Sequence, residues 1–521
     1  MDATAAPPAA VPEGEVSSST SPRLRVFSRH MMNVAILMMV PTIASATLNF
    51  AHTFIVDPDI WWHLANARIL ITMHHMIHTD PYSFTVVGQR WINWEWLSEI
   101  PYWFSFQAFG LRGIYLVTWL ALCANIVFVY ARGNWMARSA DASLWTAGLA
   151  FVLMTVNAGP RMIEFGYLAM SAELAILEAA DRGNKRFLWF LPPLFCLWIN
   201  LHGFWFGGLV LLGIYIACGM FSLRLGVFEQ AAFSPAERKQ YLTIFGVSIA
   251  ALLVNPYGWR LLWNPLDMAM NQKLSVATIA EWQPLKLSSM QGEAAVVAIA
   301  AMVLANCISG RKWKLYEMCF VFLAWYAAVS HLRFCYFAAI LTCPMLARDL
   351  ARTICKDPDA NTIPAMNFLL TAASLGVVLY MFPNEASLEK MLVKMFPVQE
   401  IAAIQPSWRT LDTDYVGGRM AFQSRPSFID SRFDSFEHVG VMADYRSIMF
   451  ANHAFELMDK YRVDHALVKD DEPIAYLLEN SPAWHVEMRE KAWEGEYLLF
   501  AKTDAPAGRS PTCPPARAVQ P

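Results

Sequence analysis

From residue 33 to residue 382, long apolar runs alternate with short polar or aromatic linkers. Runs of spanning character fall near 33–53, 96–131, 142–158, 163–180, 187–200, 203–222, 241–255, 293–308, 315–330, 333–349 and 364–382. A straight crossing needs about 20 apolar residues, so the shorter runs draw in their aromatic flanks. The run at 96–131 is too long for one helix and is interrupted at Gly110, which predicts either two crossings or one crossing plus an interfacial piece. The pattern predicts an α-helical polytopic membrane unit over 31–383, with about 11–13 transmembrane helices.

Past residue 383 the period changes. Within 395–503, strand-like runs (Arg425–Ile429, His465–Val468, Tyr497–Ala501) alternate with helical ones (Met442–Arg462, Pro473–Leu478), which predicts a small C-terminal α/β domain. Residues 1–30 and 504–521, rich in Ala, Pro and other small residues, are predicted to be disordered.

Composition agrees with a membrane chain: 56% of the 521 residues are hydrophobic and 16% charged, against roughly 25% charged in soluble domains. A net charge of −3 gives no footprint for nucleic acid. The nine cysteines show no CxxC spacing and most lie in or beside apolar runs, where they read as small hydrophobes.

Charge then orients the chain. Arg23, Arg25, Arg29 and His30 precede the first run, which is long and lacks a small-residue cleavage site, so it reads as an uncleaved first helix with a cytoplasmic N-terminus. With an odd number of crossings over 96–131, the inside linkers carry Arg132/Arg138, Arg182/Lys185/Arg186, Arg224/Arg238/Lys239, Arg311/Lys312/Lys314 and Arg348/Arg352/Lys356. Every alternate linker is then basic, as the positive-inside rule requires. The implied location is the cytoplasmic (inner) membrane, with loops 54–95 and 255–292 and the domain at 395–503 on the external, periplasmic side.

That parity gathers the polar residues at the span edges on one face. Asp57 and Asp59, in Val56-Asp57-Pro58-Asp59-Ile60-Trp61-Trp62-His63-Leu64, open the first external loop. Asp before a helix is ordinarily a cap, and Pro58 fits a first turn. A carboxylate roofing a membrane cavity is also placed to act as a general base, and two acids this close are a weak signal for a divalent cation. Residues 60–77 mix apolar and polar positions, which predicts a short helix lying on the membrane surface. Glu95 and Glu99 share a helix face, as headgroup anchors or as site residues. Asn200 and His202 form a polar tip between two runs. Arg161, Arg260 and Arg333 are cations on the external side: either they snorkel to headgroups or they clamp a phosphate. His74, His75 and His78 lack a partner acid or Cys at ligand spacing, so a metal there is disfavoured.

Together these residues resemble the GT-C superfamily of polytopic glycosyltransferases, which includes protein O-mannosyltransferases and aminoarabinose transferases. More narrowly, the chain is similar to an uncharacterised bacterial membrane subgroup. The resemblance rests on the layout and on Asp57–Leu64, Asp80-Pro81-Tyr82-Ser83-Phe84-Thr85, Trp94-Glu95-Trp96-Leu97, Trp198-Ile199-Asn200-Leu201-His202-Gly203, Asn255-Pro256-Tyr257-Gly258-Trp259 and Glu281-Trp282.

It implies an inverting transfer of a sugar from a polyprenyl-phosphate-linked donor to a glycan, lipid or protein acceptor at the external face. Asp57 is the implied base, with Asp59 orienting it or helping to hold a divalent cation, and Glu95 is the third candidate catalytic residue. His63, Arg161, Asn200, His202, Arg260, Glu281, His331 and Arg333 are the candidate substrate-binding residues, with Arg260, His331 and Arg333 implied to neutralise the lipid phosphate. Trp94-Glu95-Trp96 departs from the basic or Pro-rich start of the second span in some relatives. The rival classes are a transporter or flippase, against which the acids cluster at the external edge rather than mid-membrane, and a non-catalytic scaffold whose external domain binds a partner.

Overall fold

The computed structural model describes residues 21–47, 57–353, 362–492 and 495–503. Fifteen helices run through the first part in chain order: α1 (Pro22–Thr47), α2 (Asp59–Met73), α3 (Trp96–Phe109), α4 (Leu111–Ala137), α5 (Ala140–Met154), α6 (Ile163–Asp181), α7 (Leu191–Leu201), α8 (Trp205–Gly219), α9 (Pro235–Ala251), α10 (Trp259–Asn271), α11 (Lys273–Thr278), α12 (Met290–Ser309), α13 (Leu315–Ser330), α14 (Cys335–Thr353) and α15 (Pro364–Met381). A two-stranded hairpin, β1 (Leu223–Leu225) and β2 (Phe228–Gln230), lies between α8 and α9.

Five of these segments are long and apolar enough to cross a membrane: α1, α4, α12, α15 and the stretch Leu332–Thr353 around α14. The protein is thus a helical membrane protein. α14 is the hub, with every residue from Cys335 to Asp349 buried. α1 carries no acid along its length and begins at Pro22, within the stretch 1–30 predicted to be disordered. Tertiary contacts override composition there: Arg29 pairs with Asp141 and donates to Thr362 Oγ1 at 3.0 Å. Residues 1–20, 48–56 and 504–521 lie outside the described residues.

Gly110 divides the long apolar run 96–131 with a positive φ (62°), a conformation glycine adopts without a Cβ clash. The new N-terminus of α4 is capped by Glu385, whose two oxygens accept from Leu111 N (2.8 Å) and Arg112 N (2.9 Å), a carboxylate where the helix dipole favours one. α4 holds 27 residues and is a full crossing. The 14 residues of α3 rise about 21 Å, short of the roughly 30 Å hydrocarbon core.

The chain continues through α16 (Glu385–Met395), α17 (Val398–Ala403), β3 (Thr410–Leu411), α18 (Asp414–Phe422), α19 (Phe433–Glu437), α20 (Val441–Met449), α21 (Ala454–Lys460), β4 (His465–Lys469), α22 (Pro473–Glu479), β5 (Trp484–Ala492) and β6 (Gly495–Lys502). The sheet order is β3-β4-β6-β5, with β3 and β4 parallel and the other neighbours antiparallel. This is the predicted α/β domain, with two local corrections. The helix predicted over Met442–Arg462 is two helices, because Ala451 and His453 take positive φ (56° and 51°). Arg425–Ile429 is no strand; Ser427 makes only an isolated bridge to Ser83 of the first loop.

Candidate functional site

The first loop and the C-terminal domain close over each other, and the candidate site lies where they meet. α2 was expected on a membrane surface with one face wet. Instead all eight residues from Ile60 to Ala67 are buried, because α18 lies flat on the start of α2. Gly417 and Gly418 permit that approach. A Cβ on Gly418 would stand 2.5 Å from the Pro58 carbonyl oxygen, and one on Gly417 would stand 1.9 Å from the Ile429 carbonyl oxygen. Gly418→Val is therefore expected to lift α18 off Pro58 without unfolding the helices. Trypsin should then cut the C-terminal domain faster than in wild type while the circular dichroism spectrum stays helical; equal cleavage rates would contradict the seating.

A salt-bridged turn locks the same junction. Arg432 donates to Asp430 (2.9 and 2.6 Å) and to Asp80 of the first loop (2.5 Å). The other Asp80 oxygen accepts from the backbone of Tyr82 and Ser83, both at 2.8 Å. Next to Arg432, Ser431 accepts a hydrogen bond from Trp62 Nε1 at 3.1 Å, beside the Asp59 carboxylate. The polar loop Asp430–Asp434 is thus structural at Arg432 and touches the candidate site at Ser431.

The sequence-predicted residues assemble into two adjoining groups. In the first, Arg161 bridges Asp57 and Glu281: its Nε donates to Asp57 Oδ2, and its Nη1 lies 2.5 Å from Glu281 Oε2. Asp57 Oδ1 accepts from the Asp59 backbone N at 3.0 Å, the local turn that Asp-Pro-Asp encodes. Burial, then the neighbouring Asp57 charge, raises the Asp59 carboxyl to about 7. Glu281 is held below its ordinary range: burial opposes this, but Arg161 and then Arg333 outweigh it.

Trp282, next to Glu281, organises the phosphate-side candidates. The Arg333 guanidinium stacks over the Trp282 ring at 4.4 Å, and His331 Nδ1 donates to the Trp282 carbonyl at 2.6 Å. This leaves His331 Nε2 as the unprotonated ring nitrogen. Arg333 makes no ion pair among the described residues. The end of α7 and its link to α8 supply the second group's hairpin tip, and α2, α3 and the segment leading into α3 supply the rest.

In that second group, His63 sits between two acids: Nδ1 is 2.9 Å from Glu99 Oε1 and Nε2 is 3.3 Å from Glu95 Oε2. Burial lowers the His63 pKa, but the Glu99 hydrogen bond and the Glu95 charge outweigh it, so the net direction is upward. With a carboxylate at each nitrogen, the ring is placed as an imidazolium. His202 Nδ1 accepts from Phe204 N at 2.9 Å, so its Nε2 carries the proton and donates to Glu95 Oε1 at 2.9 Å. Glu95 is held low: burial raises it, and His202 and then His63 more than reverse that. Glu99 also accepts from Asn66 (3.0 Å) and Asn93 (2.8 Å), while Asn200 accepts from Trp96 Nε1 at 3.0 Å. In this arrangement His63, Asn200 and His202 hold carboxylates and an indole.

Arg260 stands apart. It is exposed on α10 and is brought to neither group. His74, His75 and His78 are also exposed. Among the described residues, no cluster of three or more His, Cys, Asp or Glu has metal-binding geometry.

Two features of the site receive no role from the sequence, although charge parity already puts the second, Glu164, on the external edge with Arg161. Arg419 on α18 is buried, its guanidinium 4.0 Å over the Trp61 ring, with Nε and Nη1 unpartnered. Burial alone lowers it to about 10. Trp61 Nε1 and Tyr415 Oη, nearby, are unpartnered too, and the Asp57 charge acts on Tyr415. No local motif marks these donors; the helical spacing of Tyr415 and Arg419 places them on one face, but not what that face meets. The second is Glu164, in the first turn of α6, which accepts from Asn125 (3.0 Å) and Tyr336 (2.5 Å) beneath Arg161. An acid three residues past Arg161 was the available signal.

No family model matches the chain, and no curated protein matches it. Solved structures do. The apo oligosaccharyltransferase of Archaeoglobus fulgidus superposes with a TM-score of 0.50 at 12% identity, over 84% of this chain and 69% of that one. The AglB oligosaccharyltransferase of the same organism, in complex with an inhibitory peptide and a dolichol-phosphate, gives a TM-score of 0.52 at 10% identity, over the same shares. ArnT from Cupriavidus metallidurans bound to undecaprenyl phosphate gives a TM-score of 0.46 at 13% identity, over 91% of this chain and 99% of that one. The layout read from the sequence and the superposition on the archaeal enzymes agree: this chain has a GT-C-like fold.

Proposed function

We propose that the protein is an inverting membrane glycosyltransferase, moving a sugar from a polyprenyl-phosphate-linked donor to an acceptor at the external face of the cytoplasmic membrane. One observation carries the reading: an acid pair, Asp57 and Asp59, braced by Arg161 and Glu281 beside cations that lack an ion-pair partner. The fold supports it, since the AglB structure that superposes on this chain is a complex with a dolichol-phosphate.

In a single displacement, the acceptor's oxygen or nitrogen forms a bond to the anomeric carbon while the bond from that carbon to the phosphate oxygen breaks. The phosphate leaves with the electron pair, and Asp57 takes the acceptor's proton. Arg333 and Arg419 are the groups available to the developing phosphate charge, while His331, whose Nδ1 proton is spent on the Trp282 carbonyl, fixes the Trp282 backbone under Arg333. Arg161 is already shared by two carboxylates, so its role is to hold Asp57 and Glu281 in place.

A divalent cation on Asp57 and Asp59 does not fit this arrangement. The Arg161 guanidinium already sets a positive charge against Asp57, and Asp59 holds its proton up to about pH 7. A chelator is expected to leave the rate unchanged.

The same proton gives a pH signature. A carboxyl raised to about 7 is neutral below that pH and ionised above it. Ionised Asp59 adds a second negative charge beside the acceptor proton as it leaves. The transfer rate is therefore expected to rise with pH, with a midpoint near 7, and Asp59→Asn should remove that rise. A wild-type profile flat from pH 6 to pH 8 would contradict the assignment.

A further inference from the structure

At the other end of α1 from Asp57, roughly 27 Å along the helix axis from Thr47 back to Arg29, two cavities meet at His30. One, of about 310 Å³, is lined by Arg29, His30, Trp135, Arg138 and Arg182, where α1, α4 and α5 converge. Asp141 neutralises Arg29. Arg182 stacks on the Trp135 ring at 4.1 Å and donates to the Trp135 carbonyl at 3.0 Å. Neither Arg138 nor Arg182 has an acidic partner among the described residues, which leaves this cavity with a positive excess.

The other cavity, of about 350 Å³, is an apolar groove between α1 and α15, lined by Phe27, Met31, Val34, Met38 and Leu375 as well as His30. The α1 residues recur at helical spacing along one face. From 27 to 38 they cover about 16 Å, enough for much of an acyl chain. A basic chamber opening into an apolar trough matches an amphiphile with an anionic head, and basic pockets between spans on the cytoplasmic side suit phospholipid headgroups.

We infer that this end of the protein is a binding site for one anionic phospholipid of the cytoplasmic leaflet, its phosphate between Arg138 and Arg182 and an acyl chain in the α1–α15 groove. The site is separate from the proposed reaction centre and stands whether or not the protein transfers a sugar.

The test uses the delipidated full-length protein in detergent, with phosphatidylglycerol, phosphatidylcholine and inorganic phosphate as probes, and native mass spectrometry with thermal melting as readouts. Phosphatidylglycerol is expected to bind and raise the melting temperature. Its affinity should fall at least about tenfold, the scale of one strong charged hydrogen bond, in the double variant Arg138→Asn/Arg182→Gln. Asn suits the left-handed φ of 52° at position 138. Leu375→Trp, at an exposed groove position, should weaken the lipid by a similar factor, and it serves as the test if the double variant does not fold. Equal binding of phosphatidylcholine, unchanged affinity in the variants, or inorganic phosphate alone reproducing the full stabilisation would each overturn the site.

Discussion

Asp57→Asn is expected to lower the transfer rate about 10³-fold, within the range that a positioned general base contributes, with little change in donor KM. The amide can still accept from the Asp59 backbone N, and Arg161 keeps its pairing with Glu281, so the loop retains its shape. What is lost is the anion that takes the acceptor's proton. Steady-state rates at saturating donor, with variant and wild type matched for folded protein, measure this. A loss appearing mainly in KM would make Asp57 a binding group instead.

The second large effect falls on stability. Glu99→Ala removes the acid to which His63, Asn66 and Asn93 all donate. Breaking a buried ion pair from one side costs about 3–5 kcal/mol, because the remaining charge stays buried. That is a large share of the roughly 5–15 kcal/mol by which proteins are stable. Melting in detergent should drop steeply for Glu99→Ala and less for Glu99→Gln, whose carbonyl can still accept from His63. Equal melting of Glu99→Ala and wild type would show that the His63 ring is not held as a cation there.

The contrast between these residues shows what the chain discloses before folding. The Asp57-Pro58-Asp59 turn and the Asn200–His202 tip are local, because sequence neighbours carry the whole signal. The gathering of Glu281 with Arg161 follows from charge parity, which puts both on one face, although parity does not say that they touch. The brace itself joins positions 104 apart in the chain and depends on how α6 packs. The seat of α18 on Pro58 was hidden for a similar reason. Nothing in the sequence around Gly417 and Gly418 names the carbonyls they admit. Arg419 needs that packing to become buried at all.

Other misses had a readable signal. Between its buried ends β5 alternates exposed and half-buried positions, with His485, Glu487, Arg489 and Lys491 exposed and Val486, Met488 and Glu490 half-buried. That near period of 2 marks a half-buried strand. The Arg425–Ile429 segment has strand-like residues but spends its backbone on the first loop, where Phe84 N donates to Ser427 O at 3.0 Å and Thr85 Oγ1 to Phe428 O at 2.6 Å. Propensity cannot report a partner supplied from more than three hundred residues away in the chain.

The most direct test of sugar transfer is a mass balance on the donor lipid. Purified protein in proteoliposomes is given a panel of polyprenyl-phosphate sugars labelled in the sugar, with an acidic envelope-glycan or lipid extract as acceptor. Label is expected to leave the lipid with stoichiometric release of polyprenyl phosphate, and the new glycosidic bond is expected to be inverted at the anomeric carbon. Label that crosses the bilayer still attached to its lipid, or stays in place with every donor, would contradict sugar transfer.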